Sequence, residues 1–128
     1  MLTPFERGLV ANLVADWILQ NDWMATYKLS LKHPAAWVHA AIHAVLLTLA
    51  LDWRAGLVLA LVHMLVDTRV PANWWIRTFK QTSEGQSGFI VKLGVDQVLH
   101  IAAIATWVEI AGMLGWTIPE PVWRLLAP

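Results

Sequence analysis

The sequence predicts an all-α fold: a polytopic membrane protein built as a compact bundle of about four transmembrane helices, with an amphipathic segment in the membrane interface. The 128 residues are 58% hydrophobic and 14% charged, whereas soluble domains carry about a quarter charged residues. The apolar residues also form runs separated by short polar links. At this length, four short membrane helices would use nearly the whole chain, so we expect residues 1–128 to form a single membrane-embedded domain.

The composition also excludes several functions. The formal net charge is zero and no basic run is present, so the chain lacks the positive field needed to bind nucleic acid. There is no cysteine, which excludes disulfides, zinc knuckles and thiol nucleophiles. Any metal ion would therefore be bound by histidine and carboxylate side chains.

The first helix is predicted over about residues 4–21. Thr3 is a good N-cap, Pro4 suits the first helical position and Glu6 completes a capping box. This start differs from a secretory signal, because Pro4 and Glu6 replace the basic region and Asp16 interrupts the apolar run. A polar link follows the helix.

The second and third helices are predicted over about residues 34–51 and 54–69. The second is an almost unbroken apolar run, at the lower length limit for a membrane span. Asp52 and Arg54 end it, and the third helix stops before Pro71. Because the link is short, we expect these two helices to form an antiparallel hairpin.

Residues 71–88 are predicted to form an interfacial loop, and the fourth helix is predicted over about residues 89–116. The loop begins with Trp74, Trp75 and Phe79 beside basic residues, a composition typical of the headgroup layer. It ends in a flexible stretch rich in Gly and Ser. The C-terminal tail contains three prolines and is predicted to lie in the interface.

The distribution of lysine and arginine predicts the orientation. The first link carries Lys28 and Lys32 and the second only Arg54, whereas the third has four basic residues in or beside it: Arg69, Arg77, Lys80 and Lys92. The positive-inside rule places the first and third links in the cytoplasm and both termini outside. We therefore expect a multi-pass protein of the bacterial inner membrane, with membrane lipid as its surroundings.

Ionisable residues recur inside the apolar runs, where they are costly and indicate function. They are spaced four apart and so share one helical face: Asn12, Asp16 and Gln20 in the first helix, His39 and His43 in the second, His63 and Asp67 in the third, and Asp96 and His100, beside Gln97, in the fourth. All four sets lie near the first or third link, at similar depth in one leaflet. A four-helix bundle would bring them together.

Such a cluster predicts metal binding, because imidazole and carboxylate ligands on facing helices suit zinc, manganese or iron. The predicted ligands are His39, His43, His63, Asp67, Asp96 and His100. Asp16, Asp96 and His100 are the predicted catalytic groups. The predicted orienting residues are Asn12, Gln20, Gln97 and Lys28. Each polar residue also has a simpler interpretation, as a hydrogen-bonded tie between helices.

Three functions are consistent with this pattern. The first is a membrane-embedded hydrolase that uses a metal-bound water. The second is a non-catalytic subunit of a larger membrane assembly, formed with other subunits or with copies of itself. The third is a proton or ion pathway, although the apolar outer half of the predicted bundle argues against a continuous route.

Four segments together resemble a known family: NLVADWILQNDWMATYK (12–28), VHAAIH (38–43), LVHMLVD (61–67) and VDQVLH (95–100). They are similar to small bacterial and phage membrane proteins catalogued as domain of unknown function 3307, over roughly residues 9–110. The resemblance implies an integral membrane location and no settled activity. It places nine residues at signature positions: Asp16, Gln20, Lys28, His43, His63, Asp67, Asp96, Gln97 and His100. Asn12 departs from the pattern, because the family usually has histidine there.

Overall fold

The computed structural model describes residues 1–81 and 85–126, and all regular structure in these two stretches is helical. A π-helical turn, Val14–Ile18, follows the first helix, and a 3₁₀ turn, Val122–Leu126, follows the last. The helices are α1 (Pro4–Leu13), α2 (Asp22–Tyr27), α3 (Pro34–Ala50), α4 (Trp53–Asp67), α5 (Val70–Thr78) and α6 (Gln86–Met113).

The predicted first helix is divided into three parts. It begins with the expected capping box, in which Thr3 accepts a hydrogen bond from the Glu6 backbone N–H and Glu6 accepts one from the Thr3 backbone N–H. After Leu13 the backbone widens into the π-helical turn, and the helix ends before residue 21. Asn21 is extended and caps α2 by accepting a hydrogen bond from the Met24 backbone N–H. The polar link therefore contains a helix of its own.

Helices α3 and α4 form the hairpin at the centre of the fold. His33 caps α3 and Asp52 caps α4, each by accepting a backbone N–H bond in the first turn. A buried apolar cluster fills the half of the hairpin nearest the link between α3 and α4, where the two helices meet α1 and α6. It consists of Ala11, Leu47, Ala50, Leu51, Ala55, Leu59 and Ile104. The opposite half of the hairpin contains the histidines.

Gly56 allows α3 and α4 to approach closely. A Cβ atom at this position would overlap Thr48 Oγ1 and lie 2.6 Å from the carbonyl oxygen of Ala44. We expect Gly56→Ala to lower the free energy of unfolding by at least about 2 kcal/mol, because a backbone atom cannot move aside as a side chain can. Thermal unfolding in detergent, followed by circular dichroism, measures the change.

The matched controls are Gly94→Ala and Gly112→Ala in α6, where an added Cβ meets no atom within 4 Å. Each should leave stability unchanged or raise it by up to about 1 kcal/mol, because alanine favours helix. Equal stability of all three variants would contradict the close packing at Gly56.

The predicted interfacial loop, residues 71–88, is largely helical. Helix α5 buries Ala72 and Ile76 and exposes Trp74 and Trp75, so it is amphipathic. Arg69, immediately before it, adopts a left-handed backbone conformation with φ of 61°. Helix α6 begins at Gln86 and ends at Met113, three residues before each predicted boundary. Residues 82–84 of the predicted flexible stretch lie outside the described residues.

In the described part of the chain, α6 is the one helix that is both long and apolar enough to cross a membrane. Helices α4 and α5 would count as a second crossing only if they were taken together, and they meet at an angle of 56°. Helix α3 is apolar but has only 17 residues, and α1 has only 10. Helix lengths therefore do not support the expected four spans.

Candidate metal centre

Four histidines and two aspartates from four elements meet in the interior. All six are at least 95% buried. Helix α3 contributes two histidines, α4 a histidine and an aspartate, α6 the fourth histidine, and the π-helical turn the other aspartate. The residues are Asp16, His39, His43, His63, Asp67 and His100. Spacing of four residues on α3 and α4 directs both side chains of each pair toward the same neighbours.

The π-helical turn positions Asp16. Such turns are uncommon and often occur at functional sites, because the additional residue changes the direction of a side chain. Asn12, one turn earlier, is buried and donates a side-chain hydrogen bond to Asp16 Oδ2 at 3.4 Å. The other carboxylate oxygen, Oδ1, faces the histidines. The predicted orienting residue Asn12 thus contacts the oxygen of Asp16 that faces away from the histidines.

Asp16, His39, His43 and His63 form the first ligand set. Asp16 Oδ1 lies 3.1, 3.3 and 3.5 Å from the Nε2 atoms of His39, His43 and His63, and the Nε2 atoms of His39 and His63 are 3.1 Å apart. In a tetrahedral zinc site with bonds of about 2.0–2.1 Å, neighbouring ligand atoms are about 3.3 Å apart. The four measured separations are close to this value.

His63, Asp67 and His100 form the second ligand set. His63 Nε2 lies 3.1 Å from Asp67 Oδ2, and His100 Nε2 lies 3.8 Å from Asp67 Oδ1. His100 Nδ1 lies 2.8 Å from the Asp96 carbonyl oxygen, so it donates that bond and the lone pair remains on Nε2. A ring fixed in this tautomer by a backbone carbonyl is the usual arrangement of a metal-ligating histidine.

Within the described chain, the other three histidines of the two ligand sets have no such hydrogen bond at Nδ1. The buried Nδ1 atoms of His39, His43 and His63 have no hydrogen-bond partner among the described residues. Each ring thus directs its one interacting nitrogen, Nε2, toward Asp16. If every Nε2 carried a proton, the N–H groups of His39 and His63 would oppose each other at 3.1 Å. A cation among them would instead accept all the lone pairs.

Lys28 follows α2 and brings a positive charge to the same place. Its ammonium nitrogen lies 3.0 Å from Asp67 Oδ1, 3.7 Å from Asp16 Oδ1 and 3.3 Å from His39 Nε2. The side chain is 12% exposed. Lys28 therefore balances part of the carboxylate charge from a position between the two ligand sets, closer to the centre than a surface lysine would be.

A polar cavity of about 130 Å³ lies beside the two ligand sets. Trp17 and Gln20 contribute to its lining, as does α6. The remaining lining residues are Asp16, Ala25, Lys28, Asp67, Arg69, Leu93, Asp96 and Gln97. Because the aspartates of both ligand sets, Asp16 and Asp67, line this cavity, a small molecule in it would contact the cluster directly.

The other predicted site residues lie along this cavity and outside both ligand sets. Asp96 Oδ2 is 3.7 Å from His100 Nδ1, so the Asp96 carboxylate is next to the second set without joining it. Gln97 accepts a hydrogen bond from the Trp17 indole at 3.5 Å. Gln20 lines the cavity and its side-chain oxygen has no partner among the described residues. Of the six predicted metal ligands, Asp96 is the one that lies outside both ligand sets.

The sequence patterns missed Arg69, which lines the cavity. They assign it only to the orientation of the protein, although it lies two residues after Asp67 and two before Pro71. Lys28 is among the predicted orienting residues, but no helical periodicity relates it to the histidines, so the patterns do not place its ammonium group beside both Asp16 and Asp67.

The family model described as "Protein of unknown function (DUF3307)" matches residues 5–120. Comparison with curated proteins and with solved structures gives no match. The description gives no activity, so function has to be inferred from the site.

Proposed function

This chain belongs to the DUF3307 family, and we propose that it binds a divalent transition-metal ion through Asp16, His39, His43 and His63. We propose further that the ion serves a hydrolytic reaction in a membrane-embedded protein. Zinc is the ion that three imidazoles and one carboxylate suit best, with manganese and iron as the other candidates.

The observation that carries this proposal is the convergence of three imidazoles on one carboxylate oxygen, at separations close to those between ligands of a tetrahedral zinc ion. Three Nε2 atoms lie within 3.5 Å of one carboxylate oxygen. A single carboxylate oxygen offers about two lone pairs, so it cannot accept well-aligned hydrogen bonds from three rings and Lys28 together. A metal ion would satisfy all three rings at once. It would also offset the cost of burying two carboxylates.

The cavity supports a catalytic role for the ion. A bound divalent metal can lower the pKa of its water toward about 7 and create a nucleophile. Asp67 and Asp96 line the cavity beside the ligands, where a carboxylate could accept or return a proton. These residues fit metal-assisted hydrolysis, the function that the sequence pattern first suggested.

Membrane embedding is supported by the apolar exterior of the bundle. Large apolar side chains on α3, α4 and α6 are exposed, among them Trp37, Leu57, Leu61, Leu65 and Val98. Helix α6, at 28 residues, is about 42 Å long and exceeds the hydrocarbon thickness of about 30 Å. We propose a multi-pass protein of the bacterial inner membrane, with α5 in the interface.

Metal titration tests the proposal. Protein purified in detergent and freed of metal by chelation should bind one Zn²⁺ per chain with a sub-micromolar Kd, about −8 kcal/mol or stronger. Co²⁺ in the same site should give the visible absorption of a four-coordinate ion. Binding should weaken below about pH 6, because protons compete with the metal for imidazole. A folded protein that binds no Zn²⁺ would contradict the proposal.

A structural role is the second candidate, and one observation favours it. The ion pairs of Lys28 with Asp16 and Asp67 connect the π-helical turn, α4 and the end of α2 without any metal. In this case the cluster ties the helices together, as a subunit of a larger assembly would require. Such a protein would unfold at the same temperature with and without Zn²⁺.

A further inference from the structure

The residues that line the polar cavity include two cationic ones, Lys28 and Arg69. Lys28 is held beside Asp16 and Asp67, and Arg69 lines both this cavity and a smaller one next to it. Lysine contacts phosphate oxygens as a point charge, whereas arginine contacts them with two parallel N–H groups. The pair therefore suits an anion with several oxygen atoms.

Arg69 has a backbone conformation that residues other than glycine and asparagine rarely adopt. Its φ of 61° is left-handed, which costs about 1–2 kcal/mol for an ordinary residue. The residue directly precedes α5 and follows Asp67 by two positions. The left-handed conformation places Arg69 between α4, which carries Asp67, and α5, at the edge of the cavity.

The charges of the site call for an anion once a divalent ion is present. The ion balances Asp16 and Asp67, and Asp96 balances one of the two basic side chains. One positive charge then remains at the cavity, where Arg69 is exposed, and an anion with several oxygen atoms would balance it. The cavity of about 130 Å³ is several times the ~10–15 Å³ that one water molecule needs, so a phosphate group has room.

We propose that this cavity binds the phosphate group of a phosphate ester, with Lys28 and Arg69 as its cationic contacts beside the metal ion. The inference rests on the proposed metal site and names its substrate class. In the reaction a water oxygen bonds to phosphorus and the ester P–O bond breaks. One water proton passes to the departing alcohol oxygen and the other stays on the phosphate product.

Two glycine variants test the role of Arg69. Arg69→Gly removes the guanidinium and relieves the left-handed backbone, so the fold should be preserved. Lys80→Gly is the matched control, because Lys80 is also basic and exposed, has φ of 49° and does not line the cavity. Calorimetric titration of the zinc-loaded proteins with inorganic phosphate should give a Kd at least tenfold higher for Arg69→Gly and within twofold of the original for Lys80→Gly.

The zinc content of each sample separates the two proposals. Bound zinc together with equal phosphate affinity in Arg69→Gly and Lys80→Gly would overturn the phosphate site and leave the metal site standing. Bound zinc with no phosphate binding in the unaltered protein would do the same. A lack of zinc in the unaltered, folded protein would overturn the metal site, and the phosphate site with it.

The phosphate ester could be a lipid headgroup or a water-soluble compound, and reconstituted protein distinguishes these sources. Protein in phosphatidylcholine bilayers with and without phosphatidic acid is titrated with inorganic phosphate. Competition by phosphatidic acid supports the site with a lipid headgroup as its ligand. If glycerol 3-phosphate competes and phosphatidic acid does not, the site is supported with a soluble ester. Competition by neither would overturn the phosphate ester assignment.

Discussion

Replacing Asp16 with asparagine should weaken Zn²⁺ binding by at least about 100-fold. Changes in the partners that orient a metal ligand already cost about 10–100-fold in affinity, and Asp16 is proposed as a ligand itself. Its Oδ1 atom lies within 3.5 Å of three imidazole nitrogens. Asparagine has nearly the same shape as aspartate but no negative charge. A loss of Zn²⁺ affinity would therefore come from the lost ligand and not from altered packing. Competition with a chromogenic chelator measures the affinity.

Asp22→Asn is the matched control for this experiment. Asp22 is exposed in the first turn of α2 and belongs to neither ligand set, so this variant removes one solvated carboxylate charge. Its Zn²⁺ affinity should stay within about twofold of that of the original protein, because water and salt screen an exposed charge. Circular dichroism establishes that both variants are folded. Equal Zn²⁺ affinity in folded Asp16→Asn and Asp22→Asn would exclude Asp16 as a ligand.

Helical spacing made much of the cluster predictable. His39 with His43, and His63 with Asp67, lie one turn apart on α-helices, so periodicity alone places each pair on one face. The short link at Asp52 requires an antiparallel hairpin. The structure accordingly brings these residues and His100 within reach of one another. The all-helical class was predictable for the same reason, since the apolar runs have helical length.

The positions of Asp16, Lys28 and Arg69 depend on backbone geometry that periodicity does not reveal. Spacing of four predicts that Asn12, Asp16 and Gln20 share a face, but the π-helical turn changes the register after Leu13. Gln20 consequently lies outside the helix. Lys28 reaches the cluster because α2 folds back within a stretch that looks like a polar link. The left-handed conformation of Arg69 is set by its tertiary surroundings.

Composition and helix length give different information about the membrane. Low charge and high hydrophobicity predict lipid surroundings, but they do not determine how many helices cross the bilayer. The apolar stretch predicted as the first helix is divided after Leu13, where α1 gives way to the π-helical turn. Helix α4 ends at Asp67, close to its predicted end. Both breaks occur next to residues of the two ligand sets, Asp16 and Asp67. The length of each helix therefore depends on local backbone geometry, which composition does not reveal.

Replacing Lys28 with methionine should make the stability of the protein depend on zinc. Without metal, Asp16 and Asp67 lose the ammonium that lies 3.7 and 3.0 Å from them. Removing one partner of a buried ion pair costs about 3–5 kcal/mol of unfolding free energy. With Zn²⁺ present, the ion replaces the missing charge and no longer experiences repulsion from a neighbouring ammonium. We expect Zn²⁺ affinity to rise at least about tenfold, since like charges a few ångströms apart interact by several kcal/mol in a protein.

The effect of Zn²⁺ on the unfolding temperature of Lys28→Met distinguishes a metal site from a cluster that only holds the helices together. Lys32→Met is the control, because Lys32 is exposed in the same link and should change neither stability nor affinity. Thermal unfolding is measured in excess chelator and in excess Zn²⁺. A metal site requires Lys28→Met to unfold well below the original protein in chelator and close to it in Zn²⁺. If the cluster only ties helices, methionine lowers the unfolding temperature equally in both conditions, because no ion can take the place of the lost ammonium.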